Sequence, residues 1–170
     1  RGIGFATANK FLYEGAKVII TAHTQPSADK AVQTLKEKHP DSSIVGISPN
    51  LASLESVRSE FQKVIDKYGR IDILVNNAGI SHIGLFTDMS PQQWKRVTEV
   101  NLNSVFNCTH YALKKMIKKH SGNIINISSI WGERGASCEA VYSASKGAVN
   151  SFTKAIAKEV GLSGIRVNAV

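Results

Sequence analysis

Five short apolar runs set the terms on which this chain can fold: KVIIT (17–21), SIVGI (43–47), IDILVN (71–76), NIINIS (123–128) and IRVNAV (165–170). Each has the length of a strand, and none keeps the strict alternation of a sheet with one wet face. Stretches with a helical period separate them. Runs apolar on both faces suit parallel strands buried between helices, so the alternation predicts an α/β fold, a doubly wound parallel sheet with helices on both faces. At 170 residues the chain is a single domain by length, 1–170, with enough residues to bury one substantial core.

The intervening periods place the helices. Leu54, Val57, Phe61, Val64, Ile65 and Tyr68 form a helical stripe that begins at a Ser53 cap. Ser90, Pro91 and Gln93 open the next helix as a capping box with proline in its first turn. Its stripe runs Trp94, Val97, Asn101, Val105, Thr109, Ala112 and Met116. Asn101 is out of character there. A polar amide on an apolar stripe either bonds locally to the backbone and bends its helix, or does chemistry. The last helix, about Ala140 to Val160, shows Ala144, Ala148, Phe152, Ala155, Ile156 and Val160 at helical spacing, and small residues such as Gly147 and Ala148 permit another helix to approach closely.

The stretch from Ser129 to Lys146, SIWGERGASCEAVYSASK, carries the chemistry. Tyr142 and Lys146 are four residues apart, which on a helix puts both on one face. A phenol titrates near pH ~10, and an adjacent ammonium favours the phenolate, so the pair reads as a proton donor beside its tuner. Ser129, arriving from the end of a strand, can hold a substrate carbonyl against Tyr142. Together with NNAG at Asn76 to Gly79 and RGIG at Arg1 to Gly4, in this order and spacing, the chain resembles the short-chain dehydrogenase/reductases over essentially its whole length.

That resemblance implies a Rossmann-like fold and an NAD(P)-dependent oxidoreductase. It makes Asn101, Ser129, Tyr142 and Lys146 the catalytic set, with Asn101 sustaining a helix kink and a water in a proton relay. Gly2, Ile3 and Gly4 would approach a pyrophosphate at the start of a helix. Asn77, Ala78 and Gly79 would line the cofactor's ribose, and Lys146 would bind the nicotinamide ribose beside Tyr142. Asn50, before Leu51, stands where the family commonly has an aspartate at the adenine amino group. The family's first strand, central in its sheet, is absent from this sequence, as is the segment after Val170, which points to a piece of a longer protein.

Charge decides the expected cofactor. NAD-preferring enzymes place a carboxylate after the second strand of the fold to hold the adenosine ribose hydroxyls. Here that place reads Thr21, Ala22, His23, Thr24, with no acid. Arg1 resembles the basic residue that many NADP-dependent members set against the 2′-phosphate, so NADP(H) is favoured over NAD(H). Two loops, Ile80 to Met89 and Ile130 to Val141, should shape the substrate pocket.

The pattern looks most like the 3-oxoacyl carrier-protein reductase branch, which implies NADPH-dependent reduction of a 3-oxoacyl thioester in fatty acid biosynthesis. Glu139 and the preceding GASC resemble a bacterial subgroup that reduces an aminopentanone-modified lysine of elongation factor P; the plain alternative for Glu139 is a loop carboxylate paired to Arg134 or to solvent. A non-catalytic cofactor-binding subunit is the alternative of another class. The family's usual assembly is a homotetramer or homodimer formed through the Asn101 helix and the last helix.

The remaining composition narrows the partners. Hydrophobic content of 42% and charged content of 20% are ordinary for a globular protein. No apolar run reaches the ~18 residues of a membrane span, and no signal-peptide pattern opens the chain, so a cytoplasmic protein without a membrane partner is expected. The net charge of +8 raises nucleic acid as a partner. Its densest source, Lys114, Lys115, Lys118, Lys119 and His120, reads instead as a solvated helix end favoured by the helix dipole. No nucleic-acid motif accompanies it. Cys108 and Cys138 give no disulfide framework or metal-ligand spacing, so both thiols are expected reduced and no metal is expected.

Overall fold

The computed structural model of the chain describes residues 2–170. The chain forms two compact units, Arg1–Asn50 and Leu51–Val170. In the first, α1 (Gly2–Tyr13), β1 (Val18–Thr21), α2 (Gln25–Lys38) and β2 (Ile44–Ile47) follow one another, and β1 pairs parallel with β2, Val18 opposite Ile44. Ala8, Leu12, Leu35 and Ile44 make its core. Helix α2 starts where Thr24 accepts from the Ser27 N–H, with Pro26 in the first turn, so local chemistry sets that boundary.

The second unit holds α3 (Leu54–Tyr68), β3 (Ile73–Asn76), α4 (Pro91–Thr98), α5 (Ser104–Lys119), β4 (Gly122–Asn126), α6 (Trp131–Arg134), α7 (Ala140–Val160) and β5 (Ile165–Ala169). Its strands lie in the order β3-β4-β5, all parallel. Leu74, Ile124 and Val167 stand in register, and with Ala112, Leu113, Met116, Val160 and Ile165 they build the largest core. Burying side chains of this size contributes roughly 1.5–3 kcal/mol each. The single sheet predicted from the sequence is thus in two pieces, of two and three strands.

The predicted caps are present. Ser53 accepts from the Ser56 N–H, and Ser90 and Gln93 form the reciprocal capping box. The long helix predicted after Ser90 is two α-helices joined by a π turn, Glu99–Asn103. That wider turn explains its stripe. Val97, Asn101, Val105 and Thr109 recur every four residues, which would drift around a regular 3.6-residue helix, yet all are buried because the π turn absorbs the drift. Trp94, the first residue of the stripe, is partly exposed instead, its indole N–H donating to the Met89 carbonyl at 2.7 Å.

The face of α7 differs from the one predicted. Ser145, Lys146, Val149, Thr153 and Val160 are buried, whereas Ala144 and Ala155 are exposed. Polarity misleads here because the buried polar side chains of this helix find partners inside the protein. The end of α5 is fixed by geometry. His120 caps it with φ 50°, and a Cβ added to Gly164, whose φ is 71°, would lie 2.5 Å from the His120 carbonyl oxygen. The left-handed backbone and the clash each act against a side chain, so Gly164→Ala should destabilise by about 2–3 kcal/mol. Urea unfolding would measure it, and a loss below about 0.5 kcal/mol would contradict this packing.

Candidate active site

Three segments of the second unit carry the predicted catalytic residues: the π turn, the stretch after β4 and α7. Asn101 sits in the π turn and is 1% exposed. Its Oδ1 accepts from the Ile80 N–H at 2.8 Å, and its Nδ2 donates to the Ile80 carbonyl at 2.9 Å and to Ser145 Oγ at 3.1 Å. The side chain is fully engaged. It pins the loop after β3 to the α4–α5 junction and to α7; the irregular helix expected at Asn101 is present as the π turn, but the amide bonds to distant Ile80 rather than locally.

Lys146 is 5% exposed, and its Nζ donates to the Ile127 carbonyl at 2.7 Å. It lies 5.7 Å from the centre of the Tyr142 ring, so the helical spacing does put both on one side of α7. Gly79 completes this group. A Cβ added there would meet Asn101 Oδ1 at 3.5 Å and Lys146 Nζ at 3.6 Å, so a bare backbone at this position leaves space beside both. Asn77, Ala78 and Gly79 follow β3 directly.

Ser129 follows β4, and its Oγ accepts from the Trp131 N–H at 3.2 Å at the start of α6. Helix α6 in turn packs onto α7 at a contact without side chains. A Cβ on Gly132 would lie 2.7 Å from the Lys146 carbonyl carbon, and one on Gly147 would lie 3.1 Å from the Gly132 carbonyl oxygen. The close approach predicted for Gly147 is made by this short helix. The neighbouring serines spend their hydroxyls on structure. Ser128 donates to Asn150, Ser145 donates to the Tyr142 carbonyl, and Ser143 accepts from the Ala136 N–H.

The two loops expected to shape the pocket are tied together. The Gly84 N–H donates to the Cys138 carbonyl at 2.9 Å, and Ser81 donates to the Glu139 carboxylate. Glu139 therefore has Ser81 as a partner, and no bond from Arg134 to it is seen among the described residues. Cys138 turns the chain with φ 62°, an unusual backbone for a side chain of this kind. Cys108 is buried, and burial pushes its thiol up to about 12, which leaves it inert. Among the described residues no group of three or more His, Cys, Asp or Glu could hold a metal, and no helix is long and apolar enough to cross a membrane.

The predicted cofactor residues of the first unit are on exposed or half-buried backbone. Gly2 opens α1 with φ 74° and nothing within 4 Å of an added Cβ, and Ile3 and Gly4 follow in the first turn. His23 is exposed between β1 and α2, and Asn50 is exposed at the end of this unit. Leu51, which begins the second unit, accepts from Asn107 Nδ2 at 2.9 Å through its carbonyl. Arg1 lies outside the described residues. Five buried polar residues were given no role in the sequence, Asn76, Ser104, Thr109, Asn126 and Thr153. Their signal was a polar residue at a buried position of an apolar run or helix stripe.

Burial holds the Lys146 ammonium below the usual lysine value. The charged form is disfavoured in the folded protein, so it subtracts from stability wherever Lys146 is protonated. Above its depressed folded pKa the folded protein releases the proton, while the unfolded chain keeps it up to the ordinary 10.5, so stability rises with pH through that window. Lys146→Met should therefore gain stability over the parent near pH ~7 and give up that gain as pH approaches ~10.5. Urea midpoints across this range would show it, and a pH-independent difference would refute the burial cost.

The chain matches known proteins over its whole length. The profile of the family described as short chain dehydrogenase matches residues 1–170. A 3alpha-hydroxysteroid dehydrogenase of Mediterraneibacter gnavus is 41% identical over 170 residues, covering 100% of this chain and 68% of its own. The 3-oxoacyl-[acyl-carrier-protein] reductase FabG of Chlamydia muridarum is 39% identical over 173 residues, with the same two coverages. The crystal structure of NAD+-bound xylitol dehydrogenase, 29% identical, superposes with a TM-score of 0.93 over 98% of this chain and 64% of its own. The chain thus spans about two thirds of the length of these relatives, and its fold is the Rossmann-like α/β fold, parallel strands with helices on both faces. Matched from end to end by the profile and by relatives named as dehydrogenases and reductases, this chain belongs to the short-chain dehydrogenase family of NAD(P)-dependent oxidoreductases.

Proposed function

We propose that the protein reduces a ketone to a secondary alcohol with NADPH, and that the ketone is a 3-oxoacyl thioester carried by acyl carrier protein. The observation that carries this reading is the buried Lys146 ammonium beside the Tyr142 ring, with Asn101 locked a short distance away across Gly79. Tyr142 gives its phenolic proton to the carbonyl oxygen as the C=O bond becomes C–OH. Lys146 keeps a positive charge next to that oxygen while the proton moves, and Ser129 holds the oxygen by a hydrogen bond. In the first unit, the uncrowded backbone of Gly2 at the start of α1, followed by Ile3 and Gly4, suits the pyrophosphate of a dinucleotide. In the second unit, Asn77, Ala78 and Gly79 would line a cofactor ribose, and Lys146 would hold the nicotinamide ribose. When bound, the nicotinamide supplies the hydride for the carbonyl carbon.

Preference for NADP is supported by the absence of a carboxylate from Thr21 to Thr24, and by Thr24 and Ser27, hydroxyls hydrogen-bonded to each other at the start of α2. Self-association is supported by α5 and α7. Phe106 and Phe152 pack with tilted rings, centroids 4.8 Å apart, with Phe106 still 39% exposed, and Ala144 and Ala155 of α7 are exposed, a surface suited to a second copy in a dimer or tetramer. A cytoplasmic location accords with this chemistry. The 41% identity to a 3alpha-hydroxysteroid dehydrogenase favours a second reading, a 3-ketosteroid in place of the thioester. A cationic ketone would rely on Glu139, which already accepts from Ser81.

NADPH oxidation by the full-length protein, with a 3-oxoacyl thioester and a 3-ketosteroid in parallel, tests the substrate. Thioester turnover alone supports the reading, and steroid turnover alone replaces it with the second one. Tyr142→Phe should lower kcat by about 10²–10⁴-fold while leaving NADPH affinity unchanged. Undiminished turnover by that variant would overturn the assignment, and no turnover by the parent despite NADPH binding would favour a non-catalytic role.

A further inference from the structure

Beneath the candidate site, a line of polar side chains crosses an otherwise apolar core. Asn76 Nδ2 donates to Thr109 Oγ1 at 3.1 Å and to Asn126 Oδ1 at 2.8 Å. Asn126 Nδ2 donates to Thr153 Oγ1 at 2.8 Å, and Thr153 Oγ1 donates to the Val149 carbonyl at 2.7 Å. None of the four is more than 9% exposed, and Asn126 is 0% exposed. Asn76 and Asn126 are register partners on β3 and β4, so they point to the same face of the sheet, where α5 and α7 bring the two threonines.

The bonds orient one another. The Thr153 proton is committed to the Val149 carbonyl, so its oxygen must accept, which turns the Asn126 amide nitrogen toward α7. The Asn126 oxygen then faces Asn76 and fixes that amide as well. Apolar contacts would tolerate sliding between these elements by fractions of an ångström, whereas a line of directed buried hydrogen bonds favours one spacing.

Each member belongs to an element that delivers a site residue. Asn76 immediately precedes Asn77, and Asn126 stands three residues before Ser129. Thr109 is about two turns beyond Asn101 along the α5 segment, and Thr153 about two turns beyond Lys146 along α7. We propose that Asn76, Thr109, Asn126 and Thr153 act as one brace that sets the spacing of the four elements carrying Asn101, Ser129, Tyr142 with Lys146, and the Asn77 to Gly79 turn. They are positioning residues, and none of them needs to touch the substrate. This rests on the assignment of Tyr142 and Lys146 given above.

The test compares Thr153→Val with Thr153→Ser in the full-length protein. Valine keeps the shape of threonine but leaves Asn126 Nδ2 without an acceptor, and serine keeps the acceptor. If the brace positions the site, Thr153→Val lowers kcat about tenfold or more with NADPH affinity changed by less than about twofold, and Thr153→Ser recovers kcat to within about twofold of the parent. Thr109→Val at the other end gives the same loss, and the double variant loses no more than about the larger single loss, since one broken link already frees the line. Unchanged kcat in folded Thr153→Val with a lowered unfolding midpoint would overturn the proposal, because the line would then serve packing alone. Losses that multiply in the double variant would also overturn it.

Should Thr153→Val not fold, Thr109→Val carries the same comparison. Should the parent show no ketone reduction, the reading of Tyr142 is what has failed, and the titration of Lys146 followed by NMR still decides the brace. A Lys146 pKa moved toward the ordinary lysine value in the valine variant supports it, and an unmoved one refutes it.

Discussion

The arrangement around Tyr142 depends on keeping one ammonium out of water. Lys146 is 5% exposed, and the protein supplies it with the Ile127 carbonyl and a bare-glycine neighbour at Gly79. A buried charge of this kind survives only where surrounding backbone and side chains are held closely, since loosening would admit water or release the proton. The close contact of Gly132 with Lys146 and Gly147 holds α6 against α7 there. Asn101, by occupying both backbone groups of Ile80, holds the facing loop. These contacts come from different elements, and each limits the movement of the backbone around Lys146.

Much of this was legible in the residues. All five apolar runs became strands at or within two residues of the predicted bounds, because a run of branched apolar residues between turns has few alternatives. The Ser53 and Ser90 caps were legible because a cap is a local bond between neighbours. The YxxxK spacing correctly placed Tyr142 and Lys146 side by side, since helix geometry alone guarantees it. What stayed hidden required knowledge of distant partners. The buried face of α7 carries Ser145, Lys146 and Thr153, which no hydrophobic scale selects, because their burial depends on Asn101, Ile127 and Asn126 elsewhere in the chain. The Ser81 bond to Glu139 joins loops 58 residues apart, a separation invisible to any local pattern.

Charge follows the same division between local and distant effects. The lysines at the end of α5 are mostly solvated and sit where the helix dipole favours them. Surface ion pairs such as Lys63 with Glu60 and Arg58 with Glu55 lie along single helices and contribute little to stability. The cation with consequences is the one withdrawn from the surface, Lys146, whose burial disfavours its charged form.

The π turn at Glu99–Asn103 also speaks to how such a chain could change over generations. A π turn amounts to one residue more than a regular helix needs, so losing any one residue from it would restore an unbroken α-helix with a better hydrogen-bond ladder. That shortening would turn everything beyond it by about 100° relative to what precedes. Thr109, Ala112 and Met116 would rotate off the sheet, and Asn101 would leave Ile80. Length in this segment is therefore closed to drift even where residue identity is open: the half-buried positions around Asn101 can accept substitutions, but a single-codon deletion costs the core and the site at once.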